Sequence, residues 1–212
     1  MENVVKNFNL IKQEITDKKN VKIVAVTKTF PISHILPVIN EGHTDFGENK
    51  VQEAMEKWTS IKQDFPKINL HLLGKLQTNK VKTALTIFDF IHSLDSQKLA
   101  KKIADEQLKQ NKKVKVFIQV NIGNEDQKSG IKKQDLNDFY SYCKKLNLDV
   151  IGLMCLPPID LDPVPFFKEL KILNTSLNLP ELSMGMSADY IKAVENFSTY
   201  LRIGSNIFGK RI

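Results

Sequence analysis

Short apolar segments alternate with amphipathic segments along the whole chain. Eight apolar segments have the length and composition of buried strands. They cover residues 22–27, 44–46, 70–73, 90–93, 114–120, 150–154, 181–184 and 200–203. Several are continuous rather than alternating, as in IVAV and VFIQV, which is typical of parallel strands covered on both faces.

Helical patterns separate the predicted strands, and one more precedes the first strand. Leu136, Phe139 and Cys143, for example, share one face of a helix. Eight strand–helix units predict an α/β protein formed by a single (β/α)8 TIM barrel over residues 1–212. Too few residues follow the last strand for the usual closing helix, so we expect the N-terminal helix to fill that gap. A doubly wound open sheet would show the same alternation, but eight units favour the barrel.

The composition is that of a globular protein, with 42% hydrophobic and 26% charged residues in a chain of 212. The two cysteines, Cys143 and Cys155, form no CxxC pair, which favours a reducing compartment over a disulfide scaffold. The first residues resemble no secretory signal, and no apolar run is long enough to cross a bilayer. We therefore expect a cytoplasmic protein that has no membrane partner.

The formal net charge of +7 raises the question of nucleic acid. However, 29 of the cationic residues are lysines and only Arg202 and Arg211 are arginines. Proteins that read bases and phosphates favour arginine for its bidentate geometry. A solvated, lysine-rich surface is the stronger interpretation, and we expect no nucleic-acid partner.

A barrel carries its reactive residues at the carboxyl ends of its strands. Polar and small residues follow most of the predicted strands, which together suggest a site although each alone is weak. They are Lys28, Gly47, Glu48, Asn49, His71, Gly74, His92, Ser93, Asn121, Met154, Cys155, Ser183 to Ser187, Arg202, Gly204 and Ser205.

Lys28 directly follows the first apolar strand. In a lysine-rich protein the default interpretation is a side chain that extends into water. The functional alternative is an amine at the barrel mouth whose pKa is lowered by burial and nearby cations, so that it attacks an aldehyde.

The exits of the seventh and eighth strands, SMGMS and RIGSN, are rich in glycine and serine. Barrels often bind phosphate at these two positions, although ordinary turns have the same composition. The four histidines form no HExxH and no ligand spacing with the cysteines, so we expect no metal site.

Eight segments, in this order, carry a resemblance to a known family. They are VAVTKTFP, GHTDFGENKVQE, HLLGKLQTNK, IHSLDSQKLA, FIQVNIGNEDQKSGI, GLMCLPP, LSMGMSADY and LRIGSNIFGKR. They resemble the pyridoxal phosphate homeostasis proteins, whose fold is close to the N-terminal barrel of alanine racemase. The resemblance covers nearly the whole chain.

The resemblance implies a cofactor, pyridoxal 5'-phosphate (PLP), held on Lys28 as an internal Schiff base (a covalent aldimine). It implies that Ser187, Gly204 and Ser205 bind the phosphate group. It also implies that Arg202 faces the pyridine nitrogen and that Asn49 lies near the ring hydroxyl.

Two positions depart from the family pattern. Ser205 stands where the family often has threonine, which retains the hydroxyl group. Phe197 stands where the family usually has glycine, a change that affects the backbone just before the eighth strand.

The resemblance implies a role in vitamin B6 homeostasis, as a carrier or buffer of PLP, without catalytic turnover. Alanine racemase adds a second domain that supplies a catalytic tyrosine, and we expect this chain to lack such a domain. A PLP-dependent amino-acid racemase is the main alternative, and a cofactor-free Schiff-base aldolase is a second one. PLP-dependent apo-enzymes are candidate partners, and we expect a monomer.

Overall fold

Eight parallel strands close into a barrel in which each strand pairs with the next in chain order and the eighth pairs with the first. The computed structural model describes residues 2–17 and 20–209, so residues 210 and 211 of the last family motif lie outside it. The strands are β1 (Lys22–Val26), β2 (Asp45–Glu48), β3 (Asn69–Leu72), β4 (Phe90–Leu94), β5 (Lys115–Val120), β6 (Asp149–Cys155), β7 (Glu181–Met186) and β8 (Tyr200–Ile203). The predicted (β/α)8 barrel is confirmed, and the open-sheet alternative is wrong.

Helices surround the barrel. They are α1 (Glu2–Glu14), α2 (Ile32–Asn40), α3 (Val51–Asp64), α4 (Val81–Ile87), α5 (Gln97–Gln110), α6 (Leu136–Lys145), α7 (Val164–Ser176), α8 (Tyr190–Glu195) and α9 (Ser205–Phe208). Short 3-10 turns precede α4 and α6. In the described part of the chain, no helix combines the length and the apolar character needed to cross a membrane.

The N-terminal helix α1 fills the gap in the outer ring, as the sequence predicts. It packs against α2 and against the single-turn helix α9 that follows β8. The side-chain amide of Asn7 donates a hydrogen bond to the carbonyl of Ile207 across this contact (3.3 Å).

Local sequence sets the ends of the helices. Ser96 begins α5 by accepting a hydrogen bond from the backbone N–H of Leu99 (3.4 Å), as expected for an N-cap serine. Asn111 ends the same helix in the left-handed region, with φ of +47°.

Phe197, at the position where the family usually has glycine, also lies in that region with φ of +69°. Its side chain is exposed, and β8 begins at Tyr200 as predicted.

The barrel has two packed layers. A large apolar core lies between the strands and the helices and includes Cys143 of α6. Inside the barrel is a smaller cluster made of Val24, Phe90, Phe117, Met154 and Tyr200. This inner layer closes the barrel below the carboxyl ends of the strands, so that the space above it is a shallow cavity rather than a channel.

Candidate functional site

A cavity of about 380 Å³ lies at the carboxyl ends of the strands. The six residues singled out from the sequence all line it: Lys28, Asn49, Ser187, Arg202, Gly204 and Ser205. They come from four strand exits that the closed barrel brings to one face. The structure therefore assembles the whole predicted set in one place.

Lys28 lies in the turn that follows β1, and its side chain is half-buried. The backbone on either side of it is fixed by α3. Lys57 donates to the carbonyl of Thr27 (2.8 Å), and Glu53 accepts a hydrogen bond from the N–H of Thr29 (2.6 Å). Thr29 has φ of +69°, a strained conformation for a β-branched residue. These two bonds hold the turn that presents the amine to the cavity.

Asn49 directly follows β2, and Gly74 of the next strand exit packs against its backbone. A Cβ atom at Gly74 would lie 3.0 Å from the Cα and carbonyl carbon of Asn49, and nearer still to its carbonyl oxygen. Gly74 is itself held from the other side, because its carbonyl accepts a hydrogen bond from Ser93 (2.7 Å). Glycine at this position is therefore what allows Asn49 to reach the cavity wall.

The exits of β7 and β8 form one connected wall. The Ser187 hydroxyl accepts hydrogen bonds from the backbone N–H groups of Gly204 (3.3 Å) and Asn206 (3.4 Å). A Cβ atom at Gly204 would lie only 3.2 Å from the carbonyl oxygen of Val26, so glycine lets this loop approach β1. Hydroxyl groups and backbone amides are suitable donors to a phosphate group.

Arg202 projects from β8 and is 5% exposed. Its guanidinium donates to the hydroxyl of Ser183 (2.7 Å) and to the carbonyl of Cys155 (2.9 Å). Burial lowers the pKa of Arg202 from its ordinary value, yet an arginine remains charged at neutral pH. The cavity therefore has one fixed positive charge, held by neutral acceptors.

The rest of the lining is apolar. It includes Phe30, Leu73, Met154, Leu156 and Met186, of which Phe30, Leu73 and Leu156 were missed when the sequence was read for polar groups. Leu73 is the last residue of a predicted strand, so its position at a strand exit would have identified it. Within the described residues, no Asp, Glu, His, Tyr or Cys lines the cavity.

Several other strand-exit candidates do not reach the cavity. His71 and His92 lie fully buried inside the barrel, and Asn121 bonds to the backbone of its own loop. Cys155, at the exit of β6, is buried in the outer apolar core. Burial raises the pKa of its thiol to about 12, so this cysteine is inert. Among the described residues, no three His, Cys, Asp or Glu side chains form a set that could hold a metal ion.

Comparisons with known proteins give the same picture as the geometry. The family model described as "Alanine racemase, N-terminal domain" matches residues 1–211. The pyridoxal phosphate homeostasis protein of Aquifex aeolicus is 38% identical over 200 residues, which cover 90% of this chain and 87% of that protein. The structure of PipY from Synechococcus elongatus PCC7942, solved with PLP bound, has a TM-score of 0.90 and 31% identity, and the match covers 97% of this chain and all of that one.

A Clostridium difficile alanine racemase shares the fold at a TM-score of 0.78 but only 14% identity. The match covers 99% of this chain and 57% of the racemase. At this identity the likeness concerns the fold alone. On its match to the family model and its identity to curated relatives, the chain belongs to the pyridoxal phosphate homeostasis protein family.

Proposed function

We propose that this chain binds PLP in the cavity at the carboxyl ends of the strands, holds it as a Schiff base on Lys28, and acts in vitamin B6 homeostasis as a carrier or buffer. The observation that carries the proposal is the convergence of the six sequence-selected residues on one cavity. Membership of the family supports it, as does the PLP-bound structure of PipY.

The chemistry of the cavity fits this cofactor. Its volume of about 380 Å³ lies within the range of roughly 300–1,000 Å³ that is usual for small-ligand pockets. Lys28 offers the amine that an aldehyde requires. Ser187, Ser205 and the Gly204 loop offer donors for the phosphate, and the described lining residues include no carboxylate that would repel it.

Arg202 would face the pyridine nitrogen, and Asn49 would lie near the ring hydroxyl. When bound, PLP supplies an electron-withdrawing ring that stabilises negative charge next to the amine nitrogen. The positive charge of Arg202 disfavours protonation of the ring nitrogen and so makes the ring a weaker electron sink. This arrangement suits storage of the cofactor better than strong carbanion chemistry.

A racemase needs a second acid–base group besides the lysine in order to move a proton on both faces of its substrate. Among the described residues that line the cavity, no carboxylate, imidazole, phenol or thiol is available for that role. The curated relatives are named as homeostasis proteins and not as enzymes. We therefore infer a protein without catalytic turnover.

We further infer that the protein acts in the cytoplasm as a monomer and passes PLP to apo-enzymes. Both cysteines are free and buried, which fits a reducing compartment. The loaded protein would be mixed directly with an apo-enzyme in one experiment and separated from it by a dialysis membrane that only PLP can cross in another. Comparison of the two transfer rates would distinguish direct handover from simple release. Sedimentation of the loaded protein would give its oligomeric state.

The deciding experiment is to incubate the protein with PLP, record its visible spectrum, reduce it with borohydride and map the labelled peptide. We expect an absorption band that reduction fixes on Lys28, and no α-proton exchange with amino acids. Lys28→Ala should lose both the band and the label. Lys50→Ala, which alters an exposed lysine beside Asn49, should retain them.

Three results would contradict the proposal. A label that persists in Lys28→Ala would show that another residue holds the cofactor. Rapid α-proton exchange by the wild-type protein, lost in Lys28→Ala, would instead favour an amino-acid racemase. A protein that never acquires the band would exclude PLP and bring back the aldolase alternative.

A further inference from the structure

A continuous chain of hydrogen bonds crosses the barrel interior from β2 to β8. Asp45 Oδ1 lies 3.0 Å from His71 Nε2, and His71 Nδ1 lies 2.9 Å from His92 Nε2. His92 Nδ1 lies 2.8 Å from the Ser183 hydroxyl, which accepts a hydrogen bond from Arg202 Nη1 at 2.7 Å. We call these five residues the relay. It links the guanidinium in the cofactor cavity to a carboxylate at the opposite end of the barrel.

The middle of the relay has no contact with solvent. His71, His92 and Ser183 are fully buried. The two imidazoles are held by aromatic rings, His71 stacking on Phe90 (4.2 Å between centroids) and His92 on Phe117 (4.4 Å). Stacking fixes the orientation of both imidazole rings, and each of their nitrogens then has one hydrogen-bond partner.

The two ends of the relay open on different cavities. Arg202 lines the cofactor cavity. The side chain of Asp45 is 14% exposed and lines a second cavity, of about 430 Å³, at the amino-terminal ends of the strands. The buried histidines and Ser183 therefore form a hydrogen-bonded connection between Asp45 and Arg202.

The chemistry of the two ends, together with neutral imidazoles between them, fixes the direction of every bond. A guanidinium can only donate hydrogen bonds, and an ionised carboxylate can only accept them. With both rings neutral, His71 donates to Asp45, His92 donates to His71, and Ser183 donates to His92 while accepting from Arg202. Each imidazole then carries its proton on Nε2.

The environment supports this assignment. Burial lowers the pKa of both His71 and His92, which favours neutral rings. Burial by itself would raise the pKa of Asp45, but the hydrogen bonds from His71 and Thr44 lower it further than burial raises it. Asp45 is therefore the ionised acceptor that the relay requires.

Outside the relay, the charge of Arg202 is compensated by a hydrogen bond to the carbonyl of Cys155. Within residues 2–17 and 20–209 it forms no ion pair with a carboxylate. A buried charge without a partner is costly unless hydrogen bonds satisfy it. Hydrogen bonds that run in one direction polarise one another, so the negative end at Asp45 stabilises the positive end at Arg202.

We propose that Asp45, His71, His92 and Ser183 are positioning residues, which orient the Arg202 guanidinium and balance its charge and so tune the pyridine ring from the far end of the barrel. This inference rests on the proposed function, in which Arg202 faces that ring. The relay itself is a property of the protein without cofactor, so its existence can be tested separately.

The first measurement is the ¹⁵N NMR spectrum of the imidazole nitrogens, recorded on the protein without added PLP. We expect His71 and His92 to be neutral with the proton on Nε2. Ser183→Ala should shift the Nδ1 resonance of His92, because that nitrogen loses its donor. Tyr200→Phe should leave both patterns unchanged, since it removes a hydroxyl in the same layer that bonds to Lys22 and not to the relay.

The second measurement is the absorption spectrum and PLP affinity of the same variants after loading. Asp45→Asn and Ser183→Ala should both shift the bound-PLP band in the same direction and weaken binding about five- to tenfold, the effect of losing one typical hydrogen bond. Tyr200→Phe should match the wild type.

The inference is overturned if either histidine carries its proton on Nδ1 or is charged in the wild-type protein. It is also overturned if Asp45→Asn, folded and loaded, has the same band and affinity as Tyr200→Phe. If the wild-type protein shows no PLP band, the proposed function fails, and the histidine tautomers still decide whether the relay exists.

Discussion

Replacement of Gly74 by alanine should damage the cofactor site through Asn49. The added Cβ would lie 3.0 Å from two backbone carbons of Asn49 and nearer to its carbonyl oxygen, whereas ordinary contacts of a Cβ atom begin at 3.4 Å. The obstacle is backbone, which cannot rotate away as a flexible side chain can. Gly74 cannot retreat either, because Ser93 holds its carbonyl.

The size of the effect follows from these contacts. Overpacking of a closely packed position by one methyl group costs typically about 1–3 kcal/mol, and here the strain falls on the turn that carries Asn49. We expect the free energy of unfolding to fall by about 2 kcal/mol and the affinity for PLP to fall about tenfold or more. Adding Ser93→Ala should recover part of both losses, because it frees Gly74 to move outward.

Urea unfolding followed by circular dichroism would measure the stability, and titration of the bound-PLP band would measure the affinity. Gly42→Ala is the matched control. A Cβ atom at Gly42 meets no atom within 4 Å, and its φ of +81° gives only a conformational cost of about 1–2 kcal/mol. Gly42→Ala should therefore lose stability and keep its affinity. Wild-type stability and affinity in Gly74→Ala would refute the steric argument.

Two further predictions concern positions outside the cavity. Phe197→Gly should not lower the free energy of unfolding and should raise it by up to about 1 kcal/mol, because relief of the left-handed φ of +69° outweighs the entropy of glycine. Asn196→Gly, at φ of −105°, should lower it. Burial raises the pKa of Cys143 and Cys155 to about 12 from 9.0. The thiols of the unfolded chain therefore ionise above pH 9 while those of the folded protein stay protonated, so the free energy of unfolding is unaffected below pH 9 and falls as the pH rises toward 12. Each thiol should cost about 1.4 kcal/mol at pH 10, and the pH dependence of Cys143→Ala in urea unfolding should be flatter than that of the wild type; equal slopes would contradict this reasoning.

The sequence predicts the strands well because buried parallel strands are continuous apolar runs. All eight lie within two residues of their predicted ends. The cavity residues were predictable for a related reason. In a parallel barrel every strand exit lies on the same face, so Lys28, Asn49 and Arg202 meet although they are far apart in the chain.

The polar interior was not predicted. We interpreted His71 and His92 as strand-exit residues, whereas the structure places them one layer lower, inside the barrel. The alternation of side chains along each strand did indicate which residues point inward. Residues an even number of positions apart point the same way, as do Asp45 and Asn49, and also His71 and Leu73. What the sequence does not give is the stagger between strands, such as the pairing of His71 with Phe90, which decides which inward residues meet.

The α1–α9 contact and the β1–β8 pairing join distant parts of the chain, which bears on when the cofactor site can form during synthesis. Asn7 and Ile207 are 200 residues apart in the chain, and β1 finds its partner β8 only across a similar separation. Pairing over such distances is slow, because most of the chain must be ordered first. A nascent chain whose residues 200–208 are still inside the ribosome lacks Ser205 and the rest of the β8 exit. Ribosome-arrested chains of that length should therefore bind no PLP. PLP binding then follows closure of the barrel, so a molecule that carries PLP is one in which β1 and β8 are already paired.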